Sequence, residues 1–278
     1  MAKKPEHKRK RVILMADGHS GHEFGLTPPD WQYRPVPGAS SSLIRRQNKC
    51  ALFQGEMWNW FSAEVKTLQP IDILIYDGDC IDGPGNKTGG AEQIHTDMTK
   101  QIEMAVETIR LVGSNKILMT YGTKYHVSSV DGSMDCEDVI AKEVGAAKIG
   151  SHEWLTVNGV TFDVKHKIGR STIPHGRGTP LARAWLWSAL WSEIAMAPKS
   201  DVIVRAHCHY PFLIGDPLVP YLAISLPALQ WSTRYGARDC EGLVGCGFVH
   251  FDIEPNGEYQ YKFHVAKLPN QKTEALQW

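Results

Sequence analysis

Five short apolar runs in this chain end on acidic or imidazole side chains, and that repetition restricts the fold more than any other property of the sequence. R-V-I-L-M-A-D-G-H leads into Asp17 and His19, and P-I-D-I-L-I-Y-D-G-D-C-I-D ends at Asp77, Asp79 and Asp82. N-K-I-L-M-T-Y-G-T-K-Y-H ends near Gly122 and His126, V-T-F-D-V-K-H at His166, and V-I-V-R-A-H-C-H at His207 and His209. A strand turns successive side chains to opposite faces, but where it breaks into a loop two alternate residues can swing toward one point. Open α/β sheets place their ligand sites at the carboxyl ends of buried strands. Taken alone, His207 and His209 read as surface histidines after a buried strand; five such endings read as one shared site.

At 278 residues the chain can bury a full core, and it reads as a single domain over residues 12–278. Lys plus Arg (30) balances Asp plus Glu (30), so global charge names no partner. The cysteines, Cys50, Cys80, Cys136, Cys208, Cys240 and Cys246, contain no C-x-x-C pair and fit a reducing cytoplasm. No apolar stretch approaches the roughly 18 residues needed to cross a bilayer, and the basic start M-A-K-K-P-E-H-K-R-K-R precedes a run too short for a signal peptide. The expectation is a soluble, unexported protein with no membrane contact and a disordered basic tail over residues 1–11. Such a tail could also reach nucleic acid phosphates.

Apolar periodicity predicts helices over residues 43–68, with Leu52, Trp58, Phe61 and Val65 among the apolar positions, and over 93–112, 135–144 and 181–197. Strands are predicted over 71–76, 117–120, 201–205, 221–226, 247–253 and 259–265, with a hairpin turning at Asn158-Gly159. Trp185, Trp187 and Trp191 read as core anchors. A long loop over 20–42 carries Trp31, Tyr33 and Arg34; loops of this length are functional or disordered. The stretch G-P-G-N-K-T-G-G over 83–90 lacks the G-K-[ST] ending of a phosphate loop. No repeat or domain-sized linker is present.

The ligand-type residues suit divalent ions, which take carboxylate oxygen and imidazole nitrogen; two neighbouring ions need a bridging carboxylate, for which Asp79 is the natural choice. Asp17, His19 and His209 can complete one ion and His166 and His207 the other. Two ions roughly 3.5–4 Å apart can hold a hydroxide and clamp phosphate oxygens, which is phosphoester hydrolysis. H-x-H-x-D-H and H-E-x-x-H, the marks of other zinc hydrolases, are absent.

D-G-H, G-D-C-I-D, a glycine-led loop ending in histidine, a later histidine and H-C-H together resemble the calcineurin-like metallophosphoesterase superfamily, in the order of its D-x-H, G-D-x-x-[DN], G-N-H-[DE], H and G-H-x-H blocks. The resemblance covers Asp17 to His209 and implies a four-layer αββα sandwich. It implies two divalent ions, with manganese expected and iron, zinc, magnesium or nickel as alternatives. Asp17, His19, Asp79 and His209 would bind the first, and Asp79, His166 and His207 the second. The third block departs from the family: Gly122-Thr123-Lys124-Tyr125-His126 has no asparagine. Three readings follow: Thr123 supplies a weaker oxygen or leaves the position to water, His126 is itself a ligand, or the second ion is weakly held. The first is preferred here, and His126 then protonates the leaving group, with Asp82 holding its imidazole and raising its pKa.

His175 rivals His166 as a ligand but does not end a strand, and Cys208 receives no ligand role. His22, Arg170 and Arg177 are candidate phosphate contacts, although a loop surface is the favoured place for His22 and a solvated loop accounts equally for the two arginines. Gly83-Pro84 after Asp82, where protein phosphatases have arginine, argues against a phosphoprotein substrate. The chain is similar to small phosphodiesterase and repair-nuclease-like members, including phage-borne ones, and Trp31, Tyr33, Arg34 and W-S-T-R-Y-G-A-R over 231–238 could stack bases. The expectation is a phosphodiesterase acting on nucleic acid or a nucleotide. A phosphomonoesterase, or a binding module that keeps the fold without activity, is the alternative.

Overall fold

Both faces of the first apolar run are buried, which explains why it is continuous rather than alternating. In β1 (Lys10–Met15), Val12 and Leu14 point one way into a core shared between two sheets, while Ile13 and Met15 point the other way under helices. The computed structural model describes residues 8–38, 41–85, 89–127, 134–239 and 244–267. β1 lies parallel to β2 (Ile73–Asp77), which is followed outward by β3 (Ile117–Thr120) and β4 (Lys148–Gly150), all parallel. On its other side β1 pairs antiparallel with β10 (Gly247–Ile253), itself paired with β11 (Tyr259–Val265), giving the six-stranded order β11-β10-β1-β2-β3-β4.

The second sheet orders β5 (Glu153–Val157), β6 (Val160–Val164), β7 (Val202–Arg205), β9 (Leu222–Ser225) and β8 (Phe212–Gly215). Its three central strands are parallel, and both edges are antiparallel. Phe162, Val164, Val204 and Ile224 meet Leu14, Ile75 and Phe251 between the sheets. Outside the first sheet lie α1 (Ser42–Thr67), α2 (Met98–Val112) and α4 (Cys136–Val144); outside the second lies α5 (Gly178–Glu193). The architecture is an α/β sandwich of four layers, αββα. Two short helices, α3 (Lys124–Val127) and α6 (Arg234–Asp239), sit in loops.

Local chemistry sets the helix ends. Ser41 Oγ accepts from the Ile44 N–H, Asp97 caps α2 through the Thr99 N–H, and Asp135 caps α4 through the Glu137 N–H. Because Asp97 starts α2, the helix begins five residues later than its periodicity predicts, and Gln93 instead bridges to His22. In α1, Phe53, Met57, Phe61 and Val65 line one buried stripe, whereas Leu52 is 55% exposed, contrary to its reading as an inward position. α5 starts earlier and stops sooner than expected, at Gly178 and Glu193. The three-residue β4 and the edge strand β8 were not anticipated.

The basic start is not all tail. Lys10 Nζ pairs with Asp72 at 2.7 Å and Arg11 grips Asp252 at 2.7 and 2.8 Å, so residues 10 and 11 belong to β1; residues 1–7 lie outside the described residues. Residues 86–88 of the glycine-rich loop and Cys240 also lie outside them. Among the described residues no helix is long and apolar enough to cross a membrane.

Candidate metal centre

The parallel strands of both sheets end at one edge, and their outgoing loops converge there. Pairing continues past the strands: Asp17 N–H donates to Gly78 O (3.0 Å), His19 N–H to Asp79 O (3.1 Å) and Ser20 N–H to Cys80 O (3.0 Å). The His207 N–H donates to Asp17 Oδ2 at 3.1 Å and ties the second sheet to the first. Among the described residues seven non-glycine residues have a left-handed backbone, and five of them are Asp17 (φ 51°), His19 (42°), Asp79 (51°), His207 (70°) and His209 (55°). That conformation is costly for a side chain bearing Cβ, and its concentration at one edge marks a functional constraint. It also lets residues two apart aim at one point.

Among the described residues three overlapping donor groups result: Asp17, His19 and His209; His19, Asp79 and His126; and Asp79, His166 and His207. Around Asp17 Oδ1 stand the Nε2 atoms of His209 (3.2 Å), His19 (3.8 Å) and His166 (3.9 Å), and the His19 and His209 Nε2 atoms are 3.2 Å apart. Asp79 Oδ2 lies 3.0 Å from His166 Nε2 and 3.9 Å from His207 Nδ1. Asp17 Oδ1 is fully buried and receives no hydrogen bond. An orphaned carboxylate oxygen facing converging imidazole nitrogens is a donor set suited to a borderline divalent cation. His175 is exposed and belongs to none of these groups.

A surrounding layer fixes these side chains. His166 Nδ1 donates to Asp77 O at 2.5 Å, which leaves Nε2 for the site. Gly78 (φ 73°) and Gly122 pack backbone to backbone: a Cβ on Gly78 would lie 2.6 Å from Gly122 Cα, and one on Gly122 2.1 Å from Asp79 Oδ1. Thr123 meets the Asp79 carboxylate directly, its N–H donating to Asp79 Oδ1 at 2.6 Å and its Oγ1 lying 3.2 and 3.3 Å from the two carboxylate oxygens. The structure therefore places Thr123 as a partner of Asp79.

Asp82 acts on His126 differently from the sequence reading. The His126 Nδ1–H donates to the Asp82 backbone carbonyl at 2.7 Å, while the Asp82 carboxylate accepts from Gln93 Nε2 (2.8 Å) and lies 3.8 Å from His19 Nδ1. The reason is that residues 82 and 83 are pinned from behind by α2, where Gln101 accepts from the Gly83 N–H (2.8 Å) and donates to its carbonyl (3.0 Å). Sequence reasoning missed Gln93, Gln101 and Glu137. Buried Glu137 spans two metal loops, Oε1 accepting from Cys80 N–H at 3.0 Å and Oε2 from Gly122 N–H at 2.7 Å. Its one sequence cue was an acid just after the helix-capping Asp135.

Burial, then repulsion from Asp79, push Glu137 up to about 8 against an ordinary 4.5, outweighing its two backbone donors. Between these values the folded protein holds a proton that the unfolded chain has released, so stability falls as pH rises through that window. With chelator present, denaturant unfolding is expected to show a loss on the order of 2 kcal/mol between about pH 6 and 8 from this group. Glu137→Gln is less stable throughout, because its amide nitrogen faces an N–H, but it lacks that slope; an unchanged slope in the variant contradicts the assignment. Burial and the neighbouring His126 lower His19 to about 4. Burial opposes a charge on His166, but Asp79 and Asp17 outweigh it and raise its pKa well above the usual value. A cation would displace that proton, so metal affinity rises with pH.

No protein-family model and no curated protein matches the chain. Solved structures do. An archaeal phosphodiesterase aligns over 91% of this chain and 99% of its own, with 12% identity and a TM-score of 0.41. Vps29 of Entamoeba histolytica, solved with zinc, aligns over 92% and 98% at 9% identity and 0.41. Vacuolar protein sorting 29 of Cryptosporidium parvum aligns over 94% and 100% at 9% identity and 0.43. At these identities and scores, what those proteins do does not transfer to this chain.

The candidate substrate contacts are distributed unevenly. His22 is buried, not on a loop surface: its Nδ1 accepts from the Phe24 N–H at 3.0 Å, its Nε2 faces Glu92 at 4.0 Å, and burial lowers its pKa to about 4. Arg177 lies over the Tyr210 ring at 4.7 Å, one residue beyond His209. Arg170 is exposed on the same loop, whose Ile168 and Gly169 carbonyls face the Cys208 thiol. Trp31 donates to Glu107 and packs against His95, Tyr33 bonds Glu23 and Gln54, and Trp231 packs on the helix-side core, so each has a partner within the fold.

Proposed function

We propose that the chain is a calcineurin-like metallophosphoesterase, a divalent-metal-dependent phosphodiesterase acting on nucleic acid or a nucleotide. The observation that carries this reading is the shared carboxylate: Asp79 stands in two donor groups, beside His19 on one side and His166 and His207 on the other. Asp17, His19, His209 and Asp79 would hold one ion and Asp79, His166 and His207 the other, with manganese as the proposed metal. Bound there, such ions act as Lewis acids on phosphoryl oxygens and lower the pKa of water enough to supply the nucleophile.

The chain's own residues supply the rest. His126, held through Nδ1 by the Asp82 carbonyl, has Nε2 left to give a proton to the departing oxygen. Arg177, braced on Tyr210, and Arg170 stand on the loop beside His207 and His209 and supply positive charge for a substrate phosphate. Asp77, Glu137 and Gln101 keep the ligand loops in register. The five unpaired buried cysteines among the described residues support a reducing, cytoplasmic setting.

Hydrolysis of bis-p-nitrophenyl phosphate and of the monoester, each with Mn(II), tests the reading. The diester should be favoured by about tenfold or more in kcat/KM, equivalent to about 1.4 kcal/mol in the barrier. Chelation should abolish turnover and Mn(II) restore it. A preference for the monoester makes the protein a phosphomonoesterase. No turnover of either with manganese, iron, zinc, magnesium or nickel leaves a binding module.

A further inference from the structure

α5 is apolar on every side, yet only one side meets the protein. Leu181, Ala184 and Trp185 pack on the second sheet with Ile203, Ala223 and Tyr221, and the Trp185 ring stacks on Tyr221 at 4.2 Å. On the opposite face Leu186 (50% exposed), Trp187 (51%), Leu190 (46%) and Ile194 (65%) form a stripe in solvent. A helix that is hydrophobic all round is normally buried all round. The tryptophans of this helix thus divide: Trp185 and the half-buried Trp191 anchor the fold, and Trp187 does not.

The stripe is bounded by one charge at each end. Arg183 and Glu193 are both exposed on this face, and neither makes an ion pair among the described residues. The arrangement is complementary to itself when reversed. If a second α5 lies antiparallel, centred near position 188, Trp187 and Leu186 of one copy meet Leu190 of the other. Arg183 then meets Glu193, and two-fold symmetry repeats each contact. A parallel pairing would instead set Arg183 beside Arg183 and Glu193 beside Glu193.

We propose that two copies of this chain associate through α5 in this antiparallel register. One helix pair with its flanks is a small interface, so dissociation in the micromolar range is expected. The face lies outside the second sheet and carries none of the donor residues of the metal centre, so the proposal stands independently of the function above.

Sedimentation equilibrium on the full chain across the micromolar range tests it. Wild type should dimerise. Leu190→Asp should weaken association by roughly 30-fold or more, as loss of a central apolar contact does. Arg183→Glu and Glu193→Arg should each weaken it by about tenfold, since each sets like charges together at both ends. The double variant Arg183→Glu/Glu193→Arg should recover wild-type association, because the reversed charges are again complementary. A monomer throughout, a dimer indifferent to Leu190→Asp, or a double variant no better than its parents overturns the proposal. All three positions are exposed, so folding is not at stake, and turnover of bis-p-nitrophenyl phosphate should be unchanged.

Discussion

Asp79→Asn is expected to lose about 10^3-fold or more of its diester turnover, because several kcal/mol of Lewis-acid stabilisation depend on the shared carboxylate. Asparagine keeps the shape of the side chain but not its charge. Its amide can face both neighbours, the oxygen accepting from the Thr123 N–H (2.6 Å) and the nitrogen donating to a neutral His166 Nε2 (3.0 Å), so the loss falls on the metal. Calorimetric titration with Mn(II) should show at least one ion lost. Circular dichroism of the metal-free variant accompanies the assay, because the substitution removes the attraction between Asp79 and buried His166 as well as the repulsion of Glu137. Full activity in this variant is incompatible with the proposed function.

His126→Ala separates two roles that the donor groups leave side by side. If its imidazole gives a proton to the leaving oxygen, the variant should slow cleavage of an alkyl or nucleoside diester by roughly 10^2- to 10^4-fold. Bis-p-nitrophenyl phosphate should be nearly unaffected, because nitrophenolate departs without a proton. If His126 instead binds metal with His19 and Asp79, both substrates suffer together and Mn(II) affinity falls. The orientation of the ring, with Nδ1 committed to the Asp82 carbonyl, favours the split between substrates.

The strands and the cluster of acidic and imidazole side chains at their ends were legible for one reason. Strands buried on both faces must be apolar throughout, so a charge or imidazole directly after such a run stands out; Asp17, His19, Asp79, His166, His207 and His209 all follow one. What holds those side chains was not legible. Glu137 reaches Cys80 across 57 positions and Gln101 reaches Gly83 across 18, each serving a backbone N–H, and a backbone partner leaves no pattern in the sequence. The Asp82 reading failed similarly: its place in the chain was visible, but the choice between its carbonyl and its carboxylate was made by Gln93 and Gln101. Trp187 was read as core because an all-apolar helix does not reveal which of its sides meets the sheet.

The five left-handed residues at this edge have a consequence for the lifetime of the chain, if the proposed ions bind there. At roughly 1–3 kcal/mol for each non-glycine residue held there, their combined cost is about 5–15 kcal/mol, as large as the net stability of many domains. Ion binding offsets that cost only in the folded state. Chains starved of divalent ions should therefore open more often and be degraded sooner, so that metal supply governs how much of this protein persists as well as whether it works.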